Sequence, residues 1–532
     1  MWRGLASIHL PTADAEWLAA TTSTGARLQF EGTRSRFRMP NHASALEHPD
    51  AVDSDLWTEY LAGRLRGPWL HPPTTDFRCT PLGATPKDGS DWRIIEDASA
   101  GGARALNAGI VDFALSYQHL DEVLQYVGSR GRGALMSKFD GLAAFRQVPV
   151  DARDWPLLGL WWRGRFWHRT CLSFGLRSSP IIFTRLAATL CDFVRARNRY
   201  PGCCRLFQYL DDFLAVGCAE LPHAPDQPPC AAARDLAALF KLLSEATGFL
   251  LKPSKERLLV TSLIYRGLLL DSVAQTVALD AARIARLRAQ LLQALAFHSL
   301  PLRELQRLCG RLAFAAQVIS PGRMMLARLW RLLAGDQHPR SWRRIGSATR
   351  GDIAWWYELL STHNGVSLLR ATRWDSADTL HVYTDASDLG AGGWCRARAF
   401  ATHWLPHERT WPIARREALA IALAVQSWAP LWHGRRVVLH CDAAGTAHAF
   451  RTLSTRSLPM LALIRATWWA CAQHDVQLRI AHIPGSDNVV ADALSRFRVP
   501  LLSPARRQPL LPSRSLRDWH CSRPLRFGHI PR

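Results

Sequence analysis

Lysine is nearly absent from this 532-residue chain: it stands only at Lys87, Lys138, Lys241, Lys252 and Lys255. The formal net charge is nevertheless +22, so the basic excess is arginine, and it is spread over every segment rather than gathered in a tail. Such an excess suits a polyanionic partner along an extended track. A GC-rich genome choosing Arg codons gives the same composition, so charge is supporting evidence only. Cysteine pairing is lacking too. The 12 cysteines include the adjacent Cys203 and Cys204 but no C-x-x-C spacing, which excludes a zinc ribbon and a disulfide framework and leaves the thiols of an intracellular protein. No apolar run reaches membrane-span length before an Arg or Asp interrupts it, and the N-terminus has no signal-peptide core. A nuclear-import cluster is missing as well, so the expected localisation is intracellular, with nucleus and cytoplasm both open. There is no phosphate-binding Gly-x-x-x-x-Gly-Lys loop, no zinc-ligand spacing and no Ser-His-Asp pattern.

What is present is ordinary globular stock. Apolar residues make up 48% of the chain, enough for sizeable cores, and the length implies three or four compact units. One stretch stands apart. In FQYLDDFLAV at 207–216, Asp211 and Asp212 interrupt a run that is otherwise aromatic and aliphatic. Asp is depleted in strands, and a buried carboxylate is costly without a cation or donor. Nothing basic lies beside the pair in the sequence, which points to a tight hairpin holding divalent metal. A polar turn between two strands is the plain alternative.

Taken in order, residues 1–45 show no sustained period and read as a loosely ordered lead-in. A short helix in DSDLWTEYLAGRL leads into the extended GPWLHPPTTDF. PLGATPKDGSDWRIIED at 81–97 reads as a hairpin with Lys87 at its turn-forming tip and Arg93 on the returning strand. LMSKFDGLAAFRQVPV at 135–150 reads as a strand ending on Asp140 and running into a helical turn. A loop from Leu172 to Gly175 precedes a helix opened at Pro180. The 218–231 segment, rich in Pro, Ala and Cys, reads as a surface insertion; the helix after it ends on Gly248, and two or three strands follow. Residues 280–335 read as helices alone, capped at Asp280 and opened at Pro301. Their outer faces carry Arg283, Arg286, Arg288, Arg303, Arg307, Arg311, Arg328 and Arg331. The 336–375 stretch reads as a connector. Near 376 a second mixed unit begins with a strand ending near Asp385, a Gly-rich turn and a returning strand. An amphipathic helix with Glu417 follows, then a strand ending on Asp442, two helices, another strand and a helix with Asp492. Residues 499–532 are Pro- and Arg-rich and read as disordered.

Two sets of carboxylates emerge. Asp140, Asp211 and Asp212 each terminate or interrupt a strand, and they converge if those strands are neighbours. Hard oxygen ligands of this kind suit two Mg²⁺ ions about 3.5–4 Å apart, with Mn²⁺ as a substitute. Asp385, Glu417, Asp442 and Asp492 have no nucleophile-and-base pair beside them and suit the same two-metal phosphodiester chemistry.

These motifs, in this order, carry a family resemblance. PKDGSDWR, FDGLAAFRQVPV, LSFGLRSSPIIF, YLDDFLAVG, LKPSK and YRGLLL resemble a reverse transcriptase. TDAS, REALA, HCDA and HIPGSDNVVADALSR resemble a retroelement ribonuclease H, and together the two sets cover roughly 50–497. GRLRGPWLHPPTTDFRCTPLG, SFGLRSSPIIFT and WWYELLSTHNGVSLL look most like DIRS-type, tyrosine-recombinase retrotransposons, with gypsy-type elements next. The resemblance implies an α/β (α+β) fold with a right-hand polymerase followed by a ribonuclease H-like mixed-sheet domain. Fingers and palm would occupy 46–272, a helical thumb 273–340, a connector 341–375 and the ribonuclease H-like domain 376–498, between the 1–45 lead-in and the 499–532 tail.

Carried to single positions, the resemblance makes Asp140, Asp211 and Asp212 the polymerase metal ligands. It makes Asp385, Glu417, Asp442 and Asp492 the nuclease ligands, with two Mg²⁺ ions at each site. It places Tyr209 beside the primer end, Phe145 as an aromatic gate against a ribose 2′-OH, and Arg93 and Lys87 on the incoming phosphates. Phe174 and Gly175 shape the nucleotide and template pocket, and Lys255 matches a proton donor to pyrophosphate. His482 falls near the family's mobile histidine, and Asn488 can orient the adjacent loop. Ala443 departs from the pattern, since relatives commonly carry Asn there, and this weakens the nuclease assignment. Protease, integrase and recombinase motifs are absent, which makes the chain one module of a larger element or a fragment of one. The implied activity is an RNA-directed DNA polymerase with a tethered ribonuclease H, copying retroelement RNA into DNA and cleaving the RNA of the hybrid. Its partners would be an RNA template, a DNA primer, the RNA–DNA hybrid, dNTPs and other retroelement proteins, and no membrane. The alternative from another class is a decayed or domesticated copy that only binds nucleic acid; a DNA-templated polymerase of the same fold is a third.

Overall fold

The computed structural model describes residues 12–498 apart from 88–90, 116, 219–230, 336–337, 339–340, 363–366, 369–378, 397, 454, 456 and 475. The start of the lead-in, the hairpin tip, nearly all of the expected insertion, much of the later connector and the tail therefore lie outside the described residues. The chain forms two compact units, residues 1–266 with 270–275, and residues 267–269 with 276–532. Each mixes helices and strands, as the α/β class requires.

The first unit is organised by an antiparallel sheet in the spatial order Arg257–Val260, Leu135–Asp140, Asp212–Gly217, Cys204–Tyr209. Successive strand residues point to opposite faces, and Phe139 and Phe213, direct partners, both face the core. Each ring lies 4.9 Å from Phe240, and Phe213 lies 5.6 Å from Phe249. The helices Ser179–Arg197 and Ala231–Thr247 complete this core. Pro180 sits in the first turn of one, where its missing N–H is harmless, and Gly248 follows the other at φ 72°. A buried Phe contributes about 1.5–3 kcal/mol, so a one-residue slip that buried aspartates in place of these rings is strongly disfavoured. Asp140 and Asp212 are thereby committed to the opposite face.

A second sheet runs in the order Phe37–Arg38, Arg78–Cys79, Gly159–Trp162, Arg165–Arg169, Leu65–Trp69, and Leu82–Pro86 pairs with Trp92–Glu96 as the expected hairpin. Residues 12–45 are not a loose lead-in. The helix Thr12–Thr24 places Leu18 in the same core as Phe139, and Ala26 and Leu28 are buried there too. Phe37–Arg38 adds an edge strand; two residues carry no period to detect.

In the second unit Asp280 accepts a hydrogen bond from the Arg283 N–H at 2.8 Å and caps the helix Ala281–Ala296. Leu302–Ala315 and Ala327–Leu333 follow. The segment is not helical throughout, because Ser299–Pro301 pairs with Trp342–Arg344. Nor is 336–375 merely a connector: Ser347–Thr362 is a helix that buries Trp355 and Trp356. Arg328, expected on a solvated face, is drawn to the buried Asp352 at 2.8 Å, which Arg465 also reaches at 2.9 Å.

The rest of this unit is a mixed five-stranded sheet in the order Arg398–His403, Gly390–Cys395, Leu380–Ala386, Arg436–Cys441, Gln477–His482. The first three strands are antiparallel and the last two continue in parallel. The Gly-rich segment is itself a strand rather than a turn. A Cβ on Gly392 would lie 2.4 Å from the Ser495 nitrogen, so the glycine admits the helix Val489–Ser495 against the sheet. The helix Ile413–Trp428 packs on the same strands and on Leu458–Gln473. Among the described residues no helix is long and apolar enough to cross a membrane.

Candidate active sites

Asp140 and Asp212 stand directly opposite each other on neighbouring strands. Asp211 shares with Leu210 the two-residue turn that joins Tyr209 to Asp212. Leu210 takes φ 51°, a left-handed conformation that costs a non-glycine residue about 1–3 kcal/mol and recurs at functional turns. The Asp211 carbonyl accepts from the Gly141 N–H at 2.9 Å, tying the turn to the end of the Asp140 strand.

The aspartates are not without basic neighbours, as their sequence surroundings suggest. Lys138 Nζ lies 3.2 Å from Asp212, and Lys255 Nζ lies 2.9 Å from Asp140. Lys138 was not among the expected site residues, although it sits two positions before Asp140 and so on the same strand face. Two ammonium groups facing three carboxylates leave a net negative site. Burial, with the neighbouring aspartates, raises Asp211 from its ordinary value. Burial raises Asp212 as well, and Lys138 offsets only part of it. Asp140, Asp211 and Asp212 do not all bring an oxygen within 4.8 Å of one another, but their oxygen donors and net negative charge suit a hard cation such as Mg²⁺.

Tyr209 adjoins this turn, and the structure brings Phe145 and Phe174 together. Phe145 stands two residues after Ala143, which takes φ 49°, and its ring lies 5.1 Å from Phe174 and 5.6 Å from Phe183. It is half-buried, with core Phe183 on one side and exposed Phe174 on the other. Gly175, at φ 92°, passes so near the Glu96 carbonyl that a Cβ would lie 2.3 Å from it. Asn107, missed in the sequence, donates to the Gly175 carbonyl and accepts from the Arg177 N–H, both at 2.8 Å. Tyr209 is gripped by Arg266, whose guanidinium lies 3.6 Å from the ring centre, and by Tyr117 at 5.1 Å. Lys87 and Arg93 are exposed on their hairpin.

The second site is tighter. Asp385, Glu417 and Asp442 each bring one carboxylate oxygen within 4.8 Å of the others, and they are the one such group of three among the described residues. They come from the ends of two neighbouring parallel strands and from the helix packed on them. Glu417 Oε1 accepts from the Ala386 N–H at 3.3 Å, while its Oε2 is buried without a hydrogen-bond partner. Burial, then Asp385 and Asp442, push Glu417 up to about 9. Asp385 is raised too, chiefly by burial, although Ser495 Oγ donates to it at 2.5 Å. An orphaned oxygen amid compressed carboxylates fits a divalent cation with oxygen ligands.

Asp492 lies outside that group of three. Its carboxylate is taken by Arg496 at 2.7 Å, although its charge still bears on Asp385. His482 Nε2 lies 3.1 Å from the Asp442 carbonyl at the exposed rim. Asn488 is buried and donates to the Thr384 carbonyl at 3.0 Å, one residue before Asp385. Ala443 caps the helix Ala444–Thr452 without a side-chain bond. Ser495 was missed; its position three residues beyond Asp492 was the available signal.

Residues 375–467 match a family model described as the RNase H-like domain found in reverse transcriptase. No curated protein matches the sequence. Among solved structures, the chain is similar to a foamy viral protease-reverse transcriptase, dRH, in complex with double-stranded DNA, at 16% identity and a TM-score of 0.48 over 90% of this chain and 80% of that one. It is similar to a foamy viral protease-reverse transcriptase with an RNA/DNA hybrid, at 15% identity and a TM-score of 0.47, covering 96% and 64% respectively. A further complex of that protein with double-stranded DNA aligns at 16% identity and a TM-score of 0.47, covering 90% and 96%.

Proposed function

We propose that this chain is an RNA-directed DNA polymerase with a tethered ribonuclease H. The observation that carries it is the direct pairing of Asp140 with Asp212, with Asp211 in the adjoining turn, in a chain that holds a second group of Asp385, Glu417 and Asp442. The match of 375–467 to a reverse-transcriptase RNase H-like domain supports the nuclease half. Asp140, Asp211 and Asp212 would hold Mg²⁺ at one site, and Asp385, Glu417 and Asp442, joined by Asp492, at the other. When bound, the metal supplies charge that stabilises phosphate oxygens and lowers the pKa of an attacking hydroxyl or water.

The chain's own side chains do the remaining work. Phe145 and Phe174 form an apolar wall against the sugar. Arg93 and Lys87 bring positive charge to the triphosphate, and Tyr209, clamped by Arg266, presents a fixed ring to the primer end. Lys255, at Asp140, is the candidate proton donor to pyrophosphate, and His482 is a rim group able to move a proton beside Asp442. Exposed Arg286, Arg303 and Arg331 suit backbone phosphates of an A-form hybrid. The DIRS-type assignment rests on the sequence motifs.

Primer extension on defined RNA and DNA templates, run beside hybrid cleavage in Mg²⁺, tests this. Asp211→Asn should reduce extension by about 10⁴-fold and spare cleavage, and Asp442→Asn should do the reverse. Unchanged extension on RNA in both variants would refute it, and tight hybrid binding without Mg²⁺-dependent synthesis would favour a nucleic-acid-binding protein.

A further inference from the structure

The proposed reaction makes no use of a buried ionic network that adjoins the Phe145 turn. Arg169 has no solvent exposure. Its guanidinium lies 2.7 Å from Glu96, 3.3 Å from Glu59 and 3.3 Å from Asp55. Glu59, itself buried, pairs also with Arg146 at 2.6 Å and Arg64 at 2.8 Å, and Arg146 reaches Asp55 at 3.5 Å. Three guanidinium groups thus meet three carboxylates with no net charge. Such a network is weak evidence for stability, and its best-attested use is to specify a geometry.

The geometry specified here includes two walls of the nucleotide pocket. Arg146 directly follows Phe145 in the turn Ala144–Gln147. Glu96 ends the strand that carries Arg93, and its carbonyl packs against Gly175, next to Phe174. Asp55 and Glu59 lie on the helix Pro49–Leu61, and Arg169 ends a strand, so rigid elements hold the far side. The same six charges therefore fasten Phe145 and the loop it faces to one frame.

We propose that Glu59 and Arg146 are positioning residues for sugar selectivity: their ion pair holds Phe145 at a fixed depth against Phe174 and so sets how strictly ribonucleotides are refused. This rests on the polymerase function proposed above. A gate that works by steric contact with a 2′-OH depends on placement finer than about 1 Å. Loosening its turn relaxes selectivity before it stops synthesis.

The test measures kcat/KM for dNTPs and rNTPs in primer extension by the full chain, together with its Tm. Glu59→Gln should lower the preference for dNTPs about tenfold, mainly by improving rNTP use. If that variant does not fold, the double variant Glu59→Met with Arg146→Met decides, because Arg64, Arg169, Asp55 and Glu96 remain charge-balanced; it should show the same loss. Asp154→Asn is the control. It breaks the ion pairs that the buried Asp154 carboxylate makes with the exposed Arg27 and Arg34 elsewhere in the unit, and should lower Tm with the sugar preference intact. A double variant as selective as the wild type overturns the positioning role, and so does an equal loss in Asp154→Asn. A wild-type chain that extends no primer refutes the polymerase function itself, and the positioning role falls with it.

Discussion

Replacing Glu417 with Gln should stabilise the metal-free five-stranded sheet and remove its response to Mg²⁺. The Glu417 carboxyl is pushed from 4.5 up to about 9 by burial and by Asp385 and Asp442, and one of its oxygens has no partner. The unfolded chain returns it to the ordinary range. Because the folded state binds this proton more tightly, the stability it contributes is fully present below pH 4.5 and is lost as pH rises toward 9. At about 1.4 kcal/mol per pH unit, the loss is about 4 kcal/mol at pH 7.5 and about 1 kcal/mol at pH 5.5. Gln carries no such proton, so the variant should exceed the wild type by up to those amounts. The assay is amide hydrogen exchange over Ile413–Trp428 and Leu380–Ala386 in EDTA, comparing both proteins at one pH so that intrinsic rates cancel. Mg²⁺ should then raise protection in the wild type at pH 7.5 and leave the variant nearly unchanged. Equal protection of the two proteins at pH 7.5 without metal would refute the reasoning, as would equal protection of both by Mg²⁺.

Phe145→Ala should increase ribonucleotide incorporation in primer extension; unchanged sugar selectivity would mean that the ring is only core, packed on Phe183. Gly392→Ala forces a Cβ to 2.4 Å from the Ser495 nitrogen and 2.6 Å from Leu494 Cβ. It should cost about 1–3 kcal/mol and, by displacing the helix of Asp492 and Ser495, reduce hybrid cleavage while extension persists. Gly445→Ala, with open space around the new methyl, is the neutral comparison, and both are read by Tm and cleavage rate.

Local signals in the sequence were enough wherever the physics is local. Pro180, Gly248 and Asp280 mark helix ends because a missing N–H, a left-handed residue and a capping oxygen act within one turn. The alternation of Phe139 with Asp140 and of Asp212 with Phe213 set which face each carboxylate must take. Other features depended on what packs opposite. Lys255 reaches Asp140 across 115 residues of chain, and Lys138 meets Asp212 only through strand pairing. Gly390–Cys395 reads as a turn until Val489–Ser495 is seen against it. Glu417 is an ordinary acid in sequence, and only enclosure beside Asp385 and Asp442 makes it hold its proton. The sequence by itself therefore determined the helix ends at Pro180, Gly248 and Asp280 and the strand faces of Asp140 and Asp212. The tertiary structure decided their charge environment, because electrostatic energy depends on distance and burial, which no local pattern encodes.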